Sequence, residues 1–133
     1  MTEPLVKFNT AVLAKECGFD WATSSYYFPT EDTGLRSRHT DNHNQYSEPD
    51  FTCVSAPTQS LLQKWLREEK DIIVEPIFDF TRESFPYHCN VMHSVSSKGD
   101  FRWLGCKSSY TDYTTYEEAL EAGLIEALKL LKG

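Results

Sequence analysis

The chain has 133 residues, 40% of them hydrophobic and 25% charged, with a formal net charge of −7. That mixture is globular: too apolar for a disordered chain and too polar for a membrane one. No apolar run reaches the roughly 18 residues of a transmembrane helix, and the acidic balance lacks the basic footprint of non-specific nucleic-acid binding.

The first residues lack the basic start, apolar core and small-residue cleavage site of an export signal. Four cysteines without tight spacing then read as reduced thiols, which points to a cytoplasmic protein. The charge is uneven. Residues 1–56 carry a net −4, residues 57–111 are balanced, and residues 112–133 carry a net −3. The length suits one domain, 1–133. Residues 1–54 read as an N-terminal helix plus a long polar loop, and residues 55–133 as a helix, three strands and a helix.

In chain order, Asn9 or Thr10 is placed to cap a short helix through Ala11, Val12, Leu13 and Ala14, with Gly18 as its stop. The aromatic stretch from Phe19 to Phe28 reads as extended chain packed on a core. Pro29 to Pro49 is polar and reads as a long loop. Phe51 to Val54 predicts a short strand. Ser55 is the expected cap of a helix with Pro57 in its first turn, and Leu61, Leu62 and Trp65 form its apolar stripe.

From Ile72 to Phe80 the period changes to two, the pattern of a strand, and Pro76 predicts that this strand lies at a sheet edge or carries a bulge. Tyr87, Cys89, Val91, His93 and Val95 share one face of a second strand. Ser97-Lys98-Gly99-Asp100 reads as a hairpin turn leading to a third strand over Phe101–Tyr110. The last helix has a capping box in Thr114-Thr115-Tyr116-Glu117 and an apolar stripe through Tyr116, Leu120, Leu124, Ala127, Leu128 and Leu131. Its acids, Glu117, Glu118 and Glu121, come early and Lys129 and Lys132 late, as the helix dipole prefers. Gly123 within it predicts close backbone packing on the sheet.

Two resemblances follow from these segments. The order helix, three-stranded meander, helix over residues 55–133 is similar to the double-stranded-RNA-binding domain, which implies that fold. That family grips phosphate with a lysine pair at the start of the last helix, where this chain has Glu117 and Glu118. The stretches Ala56-Pro57-Thr58-Gln59-Ser60-Leu61-Leu62-Gln63-Lys64-Trp65-Leu66-Arg67-Glu68 and Tyr116-Glu117-Glu118-Ala119-Leu120-Glu121-Ala122-Gly123-Leu124, with the Gly18-Phe19-Asp20-Trp21 segment, resemble small uncharacterised proteins of phages and bacterial mobile elements. That resemblance implies an intracellular accessory protein.

No constellation points to catalysis. His39 and His43 stand four apart, but Thr40, Asp41, Asn42 and Asn44 oppose the helix that would aim both rings at one metal. Cys89 and His93 on one strand face lie about 13 Å apart, too far for joint ligation. No serine sits in a glycine elbow, and the six glycines form no phosphate-cradling loop.

The expectation is therefore an α+β fold, an antiparallel three- or four-stranded sheet with helices on one face. Its function is expected to be protein–protein association without enzymatic activity or cofactor, with a protein partner or a second copy as the homodimer. Tyr26, Tyr27 and Phe28 are the interaction candidates, because three consecutive aromatics on a strand expose at least one, joined by Arg36 and Arg38 in the polar loop. The alternatives are a nucleic-acid-binding domain of the double-stranded-RNA-binding type and metal binding through the histidine loop. No membrane contact is expected.

Overall fold

The computed structural model describes residues 4–28, 34–41, 44, 47–48, 51–52, 54–78, 87–94, 101–103 and 113–132. In chain order they form α1 (Phe8–Glu16), β1 (Thr23–Phe28), β2 (Gly34–Asp41), β3 (Ser47–Glu48), β4 (Phe51–Thr52) and β5 (Val54–Ser55). Then follow α2 (Gln59–Glu69), β6 (Ile72–Phe78), β7 (Tyr87–Ser94), β8 (Phe101–Trp103) and α3 (Tyr116–Lys132). The class is α+β with antiparallel sheets: β2-β1-β5, a ribbon of β3 and β4, and β6-β7-β8.

The sheet β6-β7-β8 is the expected meander. Its first two strands pair from Ile72 opposite His93 to Phe78 opposite Tyr87, and Pro76 sits on edge strand β6 where its missing N–H breaks no ladder. Ile72, Val74, Cys89 and Val91 are buried on one face, and α2 and α3 pack against these strands. The proposed turn at 97–100 and the third strand beyond Trp103 lie outside the described residues.

Gly123 lets α3 lie flush on that face. A Cβ built there would overlap the Cys89 sulfur and come within 2.8 Å of Val74 Cγ1. Leu120, Leu124, Ala127 and Leu128 are buried in the same core cluster, as the stripe requires, while Tyr116 at its start remains exposed. Trp65 of α2 packs edge-to-face on Phe19 at 5.3 Å, and Lys70 lies 5.4 Å over the Trp65 ring.

Four expectations are corrected. The 29–49 segment is not one loop, because residues 34–41 form β2 along β1, pairing Tyr26 with Arg36 and Phe28 with Gly34. Hydrophobic periodicity reports side-chain burial, whereas an edge strand such as β2 is held by backbone pairing, which a polar sequence supplies equally well. The cap of α2 is Thr58, whose hydroxyl accepts the Leu61 N–H at 3.1 Å. Ser55 is committed to the sheet opposite Tyr26.

The α3 box lies one residue later than expected. Thr115 Oγ1 accepts the Glu118 N–H at 3.1 Å, and the Glu118 carboxylate takes the hydroxyls of Thr114 and Thr115. Finally, α1 starts two residues earlier than Thr10, at Phe8, with Lys7 in the capping position and no side-chain cap of its own. Gly18 does end it, at φ 93°, a left-handed conformation open to glycine.

Candidate functional site

The structure redistributes the residues singled out in sequence. Tyr26 is 3% exposed and belongs to the interior, so it offers a partner no surface. Tyr27 is half-buried; its ring meets Phe8 edge-to-face at 5.5 Å and its hydroxyl donates to the Val6 carbonyl at 2.8 Å. Arg36 and Arg38 lie two apart on β2, with Arg36 opposite Tyr26. The side chains of Phe28, Arg36 and Arg38 lie outside the described residues. His39 stands on β2, so it is not on the helix that the i, i+4 spacing would need, and His43 lies outside the described residues. Among the described residues no group of three or more histidine, cysteine or acidic side chains is placed to hold a metal.

The polar centre of the molecule is instead Glu121, which the spacing assigned only a dipole role. Its side chain projects from α3 into the junction of three helices and the residue is 6% exposed. One carboxylate oxygen accepts the Lys7 N–H at 3.0 Å and the Thr10 hydroxyl, and the other accepts Gln59 Nε2 at 2.8 Å. Gln59 also donates to the Glu117 carbonyl at 3.0 Å. Lys7 and Thr10 belong to the first turn of α1, so Glu121 supplies the missing cap from another helix, with its negative charge at the positive end of the dipole. Every oxygen is satisfied by a donor, as a buried carboxylate requires. The sequence signal was available: Glu121 stands three residues before Leu124 and seven before Leu128, on the apolar side of α3.

A groove runs over this centre across the first three turns of α3. One lobe of about 380 Å³ lies between the extended Pro4–Lys7 segment, Tyr113 and the α3 residues Glu118, Ala122 and Ile125. A second of about 250 Å³ lies between Ser60 and Gln63 of α2 and Tyr116 and Leu120 of α3. The lobes share Pro4, Gln59 and Glu117. The Pro4 wall is fixed by backbone bonds along the chain before α2, with Val6 N–H to the Pro57 carbonyl at 3.0 Å and Gln59 N–H to the Pro4 carbonyl at 2.9 Å.

Beside the groove stands a row of aromatic rings that burial patterns could not locate. Tyr113 and Tyr87 exchange backbone hydrogen bonds at 2.8 and 3.1 Å, which docks the approach to α3 on β7. Tyr116 is thereby set edge-on to Tyr87 at 6.4 Å, and Tyr87 edge-on to Phe78 at 5.2 Å. Phe78 and Tyr87 stand opposite each other at the end of the β6–β7 pair, on the same side of their strands as Val74 and Cys89. Phe78 is 53% and Tyr116 45% exposed.

Cys17 and Cys89 are free thiols. Cys89 is buried beneath Gly123. Cys17 donates to the Leu128 carbonyl at 3.3 Å, and burial pushes its thiol above the ordinary value despite the nearby Lys132 ammonium. Lys132, itself bonded to Glu16, ties the end of α3 to the end of α1. No protein-family model, curated protein or solved structure shows significant similarity to the chain.

Proposed function

We propose that the chain is a non-enzymatic module acting by protein–protein association, and that its docking surface is the aromatic row of Phe78, Tyr87 and Tyr116 with the adjoining groove. The observation that carries this reading is the exposure of Phe78 and Tyr116 within a packed row of rings. Aromatic side chains bring large area at low entropic cost and are enriched at the centres of protein interfaces. The free thiols of Cys17 and Cys89 support a cytoplasmic setting, and no helix among the described residues is long and apolar enough to cross a membrane. A phosphate backbone suits the surface poorly, since exposed Glu117 and Glu118 follow Tyr116 directly.

Panning a displayed library of short random peptides against the full chain tests the proposal, with the Phe78→Ser/Tyr116→Ser double variant as counter-selector. Both side chains are half-exposed, so a matched urea midpoint should confirm that the variant folds. Binders lost by the variant are expected. A pool held equally by both proteins would overturn the reading.

A further inference from the structure

We infer that the partner segment is basic: a stretch of polypeptide carrying arginine or lysine beside an apolar residue, seated in the groove across α3. This rests on the association reading and adds the chemistry of the partner.

The groove has the form that such a segment needs. Its larger lobe, about 380 Å³, falls within the range of small-ligand sites. Leu120, Ala122, Ile125 and Pro4 offer apolar walls for an aliphatic side chain or for the methylene stem of a long cation. Charge then decides which occupant fits. Among the described residues, three acidic ones, Glu117, Glu118 and Glu121, line the groove against one basic one, Lys7.

The three carboxylates are not equivalent. Glu121 is committed to its three donors and contributes only its field. Glu118 is exposed and uses one oxygen, Oε1, for the threonine hydroxyls of the capping box. Glu117 lies at the junction of the two lobes, exposed, and its carboxylate bonds to none of the described residues. A carboxylate that lines both lobes, with Tyr113 in one and Tyr116 in the other, suits a guanidinium or ammonium, which gains Coulomb attraction and an aromatic edge or face together. The same charges weigh against the other occupants. A second copy would set these carboxylates against its own, on a chain of net charge −7, and like charges facing one another suppress association.

The test continues the panning experiment. Binders from the library are sequenced, and one is synthesised and titrated against the full chain, Tyr116→Ser, and the double variant Glu117→Gln/Glu118→Gln. Glutamine also completes a capping box, and matched urea midpoints verify folding. The expected pool is enriched in arginine and lysine next to leucine or aromatic residues. Its peptide is lost by Tyr116→Ser, weakens about tenfold in the glutamine variant at low salt, and loses most of its salt dependence there. A pool that needs Tyr116 but shows no basic enrichment, or is indifferent to the glutamine variant, overturns the basic partner and leaves association standing. An empty pool, or one indifferent to Phe78→Ser and Tyr116→Ser, overturns both. Sedimentation showing a dimer that Tyr116→Ser dissociates would name a second copy as occupant and overturn the inference.

Discussion

The two helices α1 and α3 pack against each other, yet they are specified in opposite ways. Helix α3 carries its own instructions: a capping box at Thr115–Glu118, acids in the first turn, bases in the last and an apolar stripe between. Helix α1 has nine residues, no side-chain cap and no acid in its first turn. Isolated helices of that length are marginal in water. What α1 lacks, the rest of the fold supplies: Glu121 takes its first donors, and Tyr27 grips the backbone just before it at Val6. The difference teaches that one helix is a local property of its sequence and the other a consequence of tertiary structure.

That contrast sets the scale of several variants. Leu124→Ala should have the largest effect, because it removes a fully buried side chain of α3 from the core. A loss of about 2–5 kcal/mol in urea denaturation is expected, and an unchanged midpoint would mean that α3 does not dock as described. Gly123→Ala should come next. Alanine gains about 1 kcal/mol of helix propensity, but its Cβ would collide with Cys89 and Val74, and overpacking of this kind costs about 1–3 kcal/mol. A stabilised variant would show that α3 is not flush with the sheet. Thr115→Ala tests whether α3 owns its start, with a cost of about 0.5–2 kcal/mol and circular dichroism as the readout.

Tyr27→Phe probes the support of α1 and should cost about 0.5–1.5 kcal/mol through the lost hydrogen bond. It also carries a pH signature. Burial, with a smaller contribution from the nearby Glu121 charge, holds the Tyr27 phenol above its ordinary value. The unfolded chain therefore releases this proton first. The stability linked to it is whole below about pH 10 and is lost as pH rises through the folded value. The wild type should lose stability more steeply than Tyr27→Phe in that alkaline window, and parallel curves would contradict the placement of the phenol.

The same contrast explains what could be read from the residues alone. The period-two pattern of Ile72–Phe78, the stripe of α3 and the close approach at Gly123 are all properties of side chains at fixed local spacing, and all three appear in the structure. Strand β2 was illegible because its Arg36, Ser37, Arg38 and His39 carry no apolar alternation, and its strand state comes from backbone pairing with β1. The candidate surface was missed for a related reason. Phe78, Tyr87 and Tyr116 occupy core-type positions in the patterns of their own elements, yet Phe78 and Tyr116 are left open by the fold. Tyr26 shows the reverse: three aromatics in a row suggested exposure, and the fold buried it. Glu121 was visible as a carboxylate on the apolar side of a helix, but its three donors come from residues 114, 111 and 62 positions away.

Amide hydrogen exchange on Glu121→Ala compared with the wild type tests most directly whether α1 is held by α3. Removing the carboxylate leaves the Lys7 N–H, the Thr10 hydroxyl and the Gln59 amide without their buried acceptor. The amides of Ala11 to Ala14 should lose protection about tenfold or more beyond any global change, while those of Leu124 to Leu128 follow global stability alone. Equal loss in both helices, or α1 amides that keep their wild-type protection, would contradict the account.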